Sequence, residues 1–179
     1  MNTNRVTVRY AKALYAYAAD EKKAEAVSKD MQLLSKAVKI PDFRNMLENP
    51  VIFPSKKTAV FNELFKTKVD TITKNFFKLL TENKREIYLE AIARNYIDIY
   101  RKNNNIKAAN LTTVFVADDK LKKDIIKILS EQFKSNIELN VDTDKDITGG
   151  FVLTVDGMQY DASISTKLKE IKKEMLEAQ

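Results

Sequence analysis

Residues 142–164 read DTDKDITGGFVLTVDGMQYDASI, and this stretch decides how the C-terminal part of the chain folds. Asp156 and Gly157 stand between two apolar runs, which is typical of a two-residue β-hairpin turn, because both residues tolerate a positive φ. Gly149 and Gly150 precede the first run and predict a tight turn into the strand, where a side chain would clash. The stretch therefore predicts a β-hairpin that follows two glycines.

The chain after the hairpin changes from a period of two residues to a helical period. Apolar residues then follow at steps of four, three and four, on one stripe of a helix: Ile164, Leu168, Ile171 and Met175. Upstream, residues 111–117 and 137–141 predict two strands, and residues 119–133 predict a helix between them. We therefore predict a small α+β domain over residues 106–179.

The first hundred residues show apolar residues at helical spacing throughout. The predicted helices cover about 4–18, 21–39, a short segment from Pro41, 55–66, a segment from Asp70, and 84–102. Asn83 with Glu86 three residues later predicts a capping box for the last of them. The polar run Asn103–Asn105 predicts a domain boundary. The predicted fold is therefore mostly α, with an N-terminal six-helix bundle in residues 1–105 before the α+β domain.

The composition limits the chemistry of this 179-residue chain. It has no histidine and no cysteine, so the common nucleophile–base pairs and the common metal ligands are missing. Neither a Walker A nor a dinucleotide-binding glycine pattern occurs. We therefore predict no catalytic residue, no cofactor and no metal. No apolar run reaches the roughly 18 residues that a bilayer span needs, so we expect a cytoplasmic protein or one peripheral to the cytoplasmic face of a membrane.

The positive charge of the chain is concentrated in its first part. Residues 1–105 hold 20 Lys and Arg against 12 Asp and Glu, whereas residues 106–179 hold 11 against 13. A basic half is typical of nucleic-acid binding, but the basic doublets are scattered over different predicted helices, and no aromatic RNA-binding pattern accompanies them. A basic RNA-associated module stays open as an alternative function. An enzyme stays possible too, although no pair of carboxylates stands out.

Adjacent apolar residues in the fifth predicted helix exceed what one buried stripe needs. Phe76 and Phe77 are neighbours, as are Leu79 and Leu80. The second residue of each pair either contacts a partner or is buried on the other side of a central helix. The sequence alone leaves both interpretations open.

Three motifs in order give the chain a family resemblance. RYAKALY at residues 9–15 and NFFKLLTENKR at 75–85 are followed by GGFV at 149–152, then Asp161, Ser163-Ile164 and Lys167-Leu168. This series resembles the ATP synthase delta subunit family, which includes the mitochondrial oligomycin-sensitivity-conferring protein. The chain has Ala162 where the family usually has glycine, and residues 165–167 read Ser-Thr-Lys where it has Arg-Gly-Arg.

The resemblance implies a non-catalytic peripheral-stalk, or stator, subunit of an F-type ATP synthase on the cytoplasmic face of the bacterial inner membrane. Such a subunit links the alpha subunits of the catalytic head to the b subunit and resists rotor torque during proton-driven ATP synthesis. By resemblance, a groove between the first and fifth helices binds the N-terminal helix of an alpha subunit, with these residues: Tyr10, Ala13, Leu14, Tyr17, Phe76, Phe77 and Leu80. The C-terminal helix of the b subunit would contact the C-terminal domain near Ile164, Leu168 and Ile171, which are equally compatible with a domain core. We expect Leu14→Asp or Phe76→Asp to weaken alpha binding in a folded monomer.

Overall fold

The structure is a computed structural model that describes residues 3–114, 118–144, 149–164 and 166–168. The chain divides into two compact units, Met1–Tyr100 and Arg101–Gln179. The described part is mostly helical and contains one four-stranded sheet. The first unit is built from helices, and the sheet lies in the second.

The helices of the first part are joined by short turns. They are α1 (Thr3–Asp20), α2 (Ala24–Ala37), α3 (Pro41–Glu48), α4 (Pro54–Leu64), α5 (Thr71–Glu82) and α6 (Leu89–Asn103), with a 3₁₀ turn at Glu86–Tyr88. Proline is the first residue of α3 and of α4. It costs no hydrogen bond there, because the first N–H groups of a helix have no acceptor within the helix. Asp70 caps α5, because its Oδ1 accepts a bond of 2.9 Å from the N–H of Ile72.

The core of this unit is aromatic and aliphatic. The Phe61 and Phe77 rings stack with their centroids 3.9 Å apart, and Phe65 packs on Phe61 at 4.8 Å. Fully buried aliphatic residues surround these rings: Val27, Met31, Leu34, Leu80, Leu89 and Ile92. Burying such side chains stabilises a fold by about 1.5–3 kcal/mol each relative to exposure. This core fixes which face of each helix is turned inward.

The predicted capping box is wrong. The side chain of Asn83 donates to the carbonyl of Leu79 at 2.7 Å, and so completes the end of α5 instead of starting α6. Glu86 is buried and paired with Lys57. The chain therefore turns through a 3₁₀ segment, and α6 begins at Leu89, five residues after the start that we predicted.

The second unit contains the sheet, in the order β2-β1-β3-β4. Its elements are β1 (Ile106–Thr113), α7 (Asp119–Phe133), β2 (Asn136–Thr143), β3 (Phe151–Val155) and β4 (Met158–Asp161). Strands β1 and β2 are parallel and joined through α7, while β3 is antiparallel to both β1 and β4. A small core forms where Ala109, Leu129 and Val155 are buried together.

The glycine-rich stretch folds as its residues predict. Asp156 and Gly157 have φ values of 50° and 85°, and they form the two-residue turn between paired Val155 and Met158. Gly150 has a φ of 84°, and a Cβ there would overlap the carbonyl oxygen of Ala162. The predicted hairpin after a glycine turn is therefore confirmed. Residues 164 and 166–168 are helical, whereas Ile171 and Met175 lie outside the described residues.

Candidate binding groove between two N-terminal helices

An open apolar groove of about 740 Å³ lies between α1 and α5. Its lining from α1 includes Val6, Tyr10, Ala13, Leu14 and Tyr17, and its lining from α5 includes Ile72, Asn75, Phe76 and Leu79. On each helix these residues recur three or four positions apart, which brings them onto one face. The groove is therefore formed by matching apolar stripes of two helices.

Helices α1 and α5 run in opposite directions along the groove. At one end Lys23, just beyond α1, bonds the capping residue Asp70 at 2.9 Å. In the middle the rings of Tyr10 and Phe76 meet edge to face at 6.2 Å. The guanidinium of Arg85, just beyond α5, also lies near Tyr10, 5.7 Å from the centre of its ring. These contacts join the two helices along the groove.

Five of the seven residues predicted for the groove line it. Tyr17 is 54% exposed and Ala13 is exposed, so both offer surface to a ligand. Tyr10 is half-buried between α1 and α5. Leu14 and Phe76 line the groove floor but are themselves buried. An aspartate at Leu14 or Phe76 would therefore lie in the core and destabilise the fold, contrary to the folded monomer that we expected from the sequence.

Phe77 and Leu80 do not line the groove. They are 1% and 0% exposed and belong to the core on the other side of α5, where Phe77 stacks on Phe61. Helix α5 is thus buried on two sides, which is one of the two interpretations that the adjacent pairs left open. Leu79, which is 46% exposed, takes the groove position instead.

Leu79, Ile72 and Arg85 are groove residues that sequence reasoning missed. Ile72, Phe76 and Leu79 are spaced by four and three residues, so the helical period contains the signal for the two apolar ones. Arg85 follows the end of α5, where no helical periodicity applies, and its placement depends on the turn at Asn83–Arg85. Only the folded structure reveals it.

The residues proposed for the b subunit fall in the C-terminal unit. Ile164 and Leu168 are exposed, and Ile171 lies outside the described residues. A second apolar groove of about 590 Å³ in this unit is bounded by α7 and strands β1, β3 and β4. The exposed side chains of Ile128, Met158 and Tyr160 lie along it.

Two carboxylates near the start of α5 have pKa values that are shifted in opposite directions. The N–H of Ile72 and then the ammonium of Lys23 lower the pKa of Asp70, because both favour the charged carboxylate. Burial raises the pKa of Asp30, whose Oδ2 accepts bonds from Thr73 Oγ1 at 2.6 Å and Asp70 N at 2.8 Å. No group of three or more metal-ligating side chains occurs among the described residues. No helix in that part of the chain is long and apolar enough to cross a bilayer.

Comparison with known proteins gives the family. The sequence profile described as "ATP synthase delta (OSCP) subunit" matches residues 6–175. The chain is 40% identical over 176 residues to ATP synthase subunit delta of Christiangramia forsetii, covering 98% of this chain and 95% of that protein. It is 36% identical over 169 residues to ATP synthase subunit delta of Clostridium botulinum strain 657, covering 94% of each.

A solved structure has the same fold. One chain in the cryo-EM structure of the Toxoplasma gondii mitochondrial ATP synthase hexamer superposes with a TM-score of 0.71 at 24% identity, covering 95% of this chain and 97% of that chain. The agreement extends over both compact units. The near-complete profile match and the delta subunits of 40% and 36% identity establish that this chain belongs to the ATP synthase delta (OSCP) subunit family, whose members are non-catalytic subunits of ATP synthase.

Proposed function

We propose that this protein is a stator subunit that links the alpha subunits of the catalytic head to the b subunit of the stalk, at the cytoplasmic face of a bacterial inner membrane. In this role the six α-helices of the N-terminal part act as one bundle, residues 1–105, and residues 106–179 form the second domain. The open apolar groove between α1 and α5 carries the proposal, since it presents apolar stripes of two helices to a partner in a member of this family.

The dimensions of the groove suit one amphipathic helix. From Val6 to Tyr17 the α1 lining covers eleven helical rises of about 1.5 Å, about 16 Å or roughly three helical turns. A partner helix would place apolar anchors at helical spacing between the two rows of side chains. We assign this position to the N-terminal helix of an alpha subunit.

The stator role needs durable contact and no chemistry. The family of the chain and its lack of histidine and cysteine agree with that role. For the b subunit, we assign the apolar groove beside α7, together with exposed Ile164 and Leu168, to contact with the C-terminal helix of b. That Ile171 takes part in this contact remains a prediction from the sequence. Two separate attachment surfaces allow one subunit to join the head to the stalk.

Calorimetric titration of the full-length protein with a peptide of the cognate alpha subunit's N-terminus tests the proposal. The exposed groove residues Tyr17 and Leu79 are the positions to change. Tyr17→Asp and Leu79→Asp each introduce a carboxylate into an apolar contact, and we expect each to weaken binding by about tenfold or more. Binding of the wild type should also show a negative heat-capacity change, because apolar surface is buried.

Val51→Asp is the matched control, since Val51 is 80% exposed and does not line the groove. It should bind the peptide as the wild type does. If the wild type does not bind the peptide, or if Tyr17→Asp and Leu79→Asp bind as tightly as Val51→Asp, the groove assignment is wrong. The family and the two delta-subunit relatives give no support to the alternative of an RNA-associated module.

A further inference from the structure

The charged residues that line the α1–α5 groove are all arginines. Arg5, Arg9 and Arg85 line it, and no carboxylate does so among the described residues. Arg5 and Arg9 are exposed and Arg85 is half-buried. None of the three forms a salt bridge within the part of the chain that the structure describes. In the described part of the chain, the groove therefore offers three arginines that no salt bridge neutralises.

These charges lie at one end of the groove. Arg5 and Arg9 are one helical turn apart in the first half of α1. Because α1 and α5 are antiparallel, the chain that follows α5 lies beside the first half of α1, where Arg85 lies over Tyr10. The opposite end, with Tyr17 and Ile72, is lined by uncharged side chains. The groove is thus apolar along its length and positive at one end.

The backbone at Arg85 is held by the fold. Its N–H bonds the carbonyl of Leu80 at 2.8 Å, and the preceding Lys84 takes a left-handed φ of 55°. The following residue, Glu86, is buried against Lys57, whose Nζ also donates to the carbonyl of Leu47 at 2.8 Å. A group positioned before binding loses less conformational entropy when the ligand arrives. The Lys57–Glu86 pair therefore holds the backbone next to Arg85.

We propose that Arg5, Arg9 and Arg85 select an amphipathic helix that carries carboxylates near one end, and that they fix the direction in which this helix lies in the groove. The inference rests on the proposed helix-binding function and adds charge and direction to it. An apolar stripe alone fits a groove in either direction with similar burial, whereas a positive cluster at one end favours one direction and disfavours cationic helices. The acidic end of the partner lies beside Arg9 and Arg85.

The test uses the full-length protein and three peptides. Two are designed helices with the same leucine stripe, one with three glutamates at one end and one with glutamines at those positions; the third is the alpha N-terminal peptide. Arg5→Gln/Arg9→Gln/Arg85→Gln is compared with Lys36→Gln/Lys39→Gln/Lys56→Gln, which removes the same charge from exposed residues outside the groove lining. Calorimetry at low salt and at 1 M salt gives the affinities.

We expect the wild type and the lysine variant to prefer the glutamate peptide by about tenfold at low salt, since exposed charge pairs contribute modestly and three act together. The preference should shrink at 1 M salt, where the screening length is about 3 Å, and it should be lost in the arginine variant. A nitroxide at the acidic end of the peptide should broaden the amide signal of Arg9 more than that of Tyr17.

Equal affinity of the wild type for the two designed peptides overturns the inference. So does an unchanged preference in the arginine variant, or equal broadening at Arg9 and Tyr17. These readouts do not depend on the alpha peptide. If the alpha peptide fails to bind while the designed glutamate peptide shows the expected preference, the assigned partner is wrong and the selection of an acidic helix stands.

Discussion

Lys57 and Glu86 form a buried ion pair between α4 and the 3₁₀ turn. Their side chains are almost fully buried, and Glu86 Oε2 has no hydrogen-bond partner among the described residues. Removing one partner leaves an uncompensated charge, so we expect Lys57→Met or Glu86→Leu to lower the free energy of unfolding by about 3–5 kcal/mol. Chemical denaturation of the full-length protein measures this.

The double variant Lys57→Met/Glu86→Leu is the control for this pair. It removes both charges together, so it should lower the free energy of unfolding by less than either single change does. If the double variant lowers the free energy of unfolding by the sum of the two single effects, the two charges are not coupled.

Asp70 links pH to the stability of the first unit. Its folded-state pKa is lowered from the ordinary value of 3.8, so its stabilisation is complete above that pH and is lost as the pH falls through the folded-state pKa. Asp70→Ser keeps a capping hydroxyl but removes the charge. We expect the stability difference between wild type and Asp70→Ser to be largest at neutral pH and to shrink on acidification below about pH 4.

Urea denaturation of both proteins between pH 2 and pH 7 measures that difference. Burial and, to a smaller extent, the charge of Asp70 raise the pKa of Asp30. The difference between the two proteins therefore reports the charge of Asp70 together with its effect on Asp30. A difference that stays constant, or grows on acidification, would contradict this role of Asp70.

Among the secondary-structure elements, the turn before β3 depends most on one residue. Gly150 combines a φ of 84° with a backbone that leaves no room for a Cβ, whereas Gly157 has a φ of 85° and open space around it. We expect Gly150→Ala to destabilise the sheet unit by more than about 1 kcal/mol, because strain and overlap act together. Thermal unfolding followed by circular dichroism measures the loss.

Gly157→Asn is the matched variant for this turn. Asparagine tolerates a left-handed conformation and meets no neighbour at this position, so the change should cost little. Equal losses for Gly150→Ala and Gly157→Asn would show that overlap at Gly150 contributes nothing.

Element prediction from the sequence succeeded for the hairpin turn and for the strand predicted over residues 137–141, which lies within Asn136–Thr143. The strand predicted over residues 111–117 was placed too late, because β1 runs from Ile106 to Thr113. The capping box failed because the buried Lys57 competes for Glu86 from 29 residues away. A local pattern contains no information about such a distant partner.

For the whole molecule, family membership was readable from the sequence, while the composition of the groove was only partly so. Tyr10, Ala13 and Tyr17, which the resemblance assigned to the groove, do line it. The sequence pattern could not tell which residue of each adjacent pair on α5 faces the groove. Helix α5 is buried on two sides, and only its packing decides which residue of the pair lies on which side. The boundary at Asn103–Asn105 stays a prediction; the structure divides between Tyr100 and Arg101.

The fold shows where part of the positive charge of residues 1–105 lies. The excess of Lys and Arg in residues 1–105 is typical of nucleic-acid binding, but it equally fits a basic surface that keeps the protein in solution. The structure gathers three arginines of this half at one end of an apolar groove. Positive charge beside an apolar floor suits an acidic amphipathic helix better than a phosphate backbone, which needs charges along an open track.

The measurement that tests the central claim most directly is attachment to the catalytic head of the cognate ATP synthase, prepared without this subunit. Sedimentation velocity would compare the wild type, Tyr17→Asp/Leu79→Asp and Val51→Asp, each first shown to be folded by circular dichroism. We predict that the wild type and Val51→Asp sediment with the head, while the groove variant stays free. A folded groove variant that sediments with the head as fully as the wild type would contradict attachment through the α1–α5 groove.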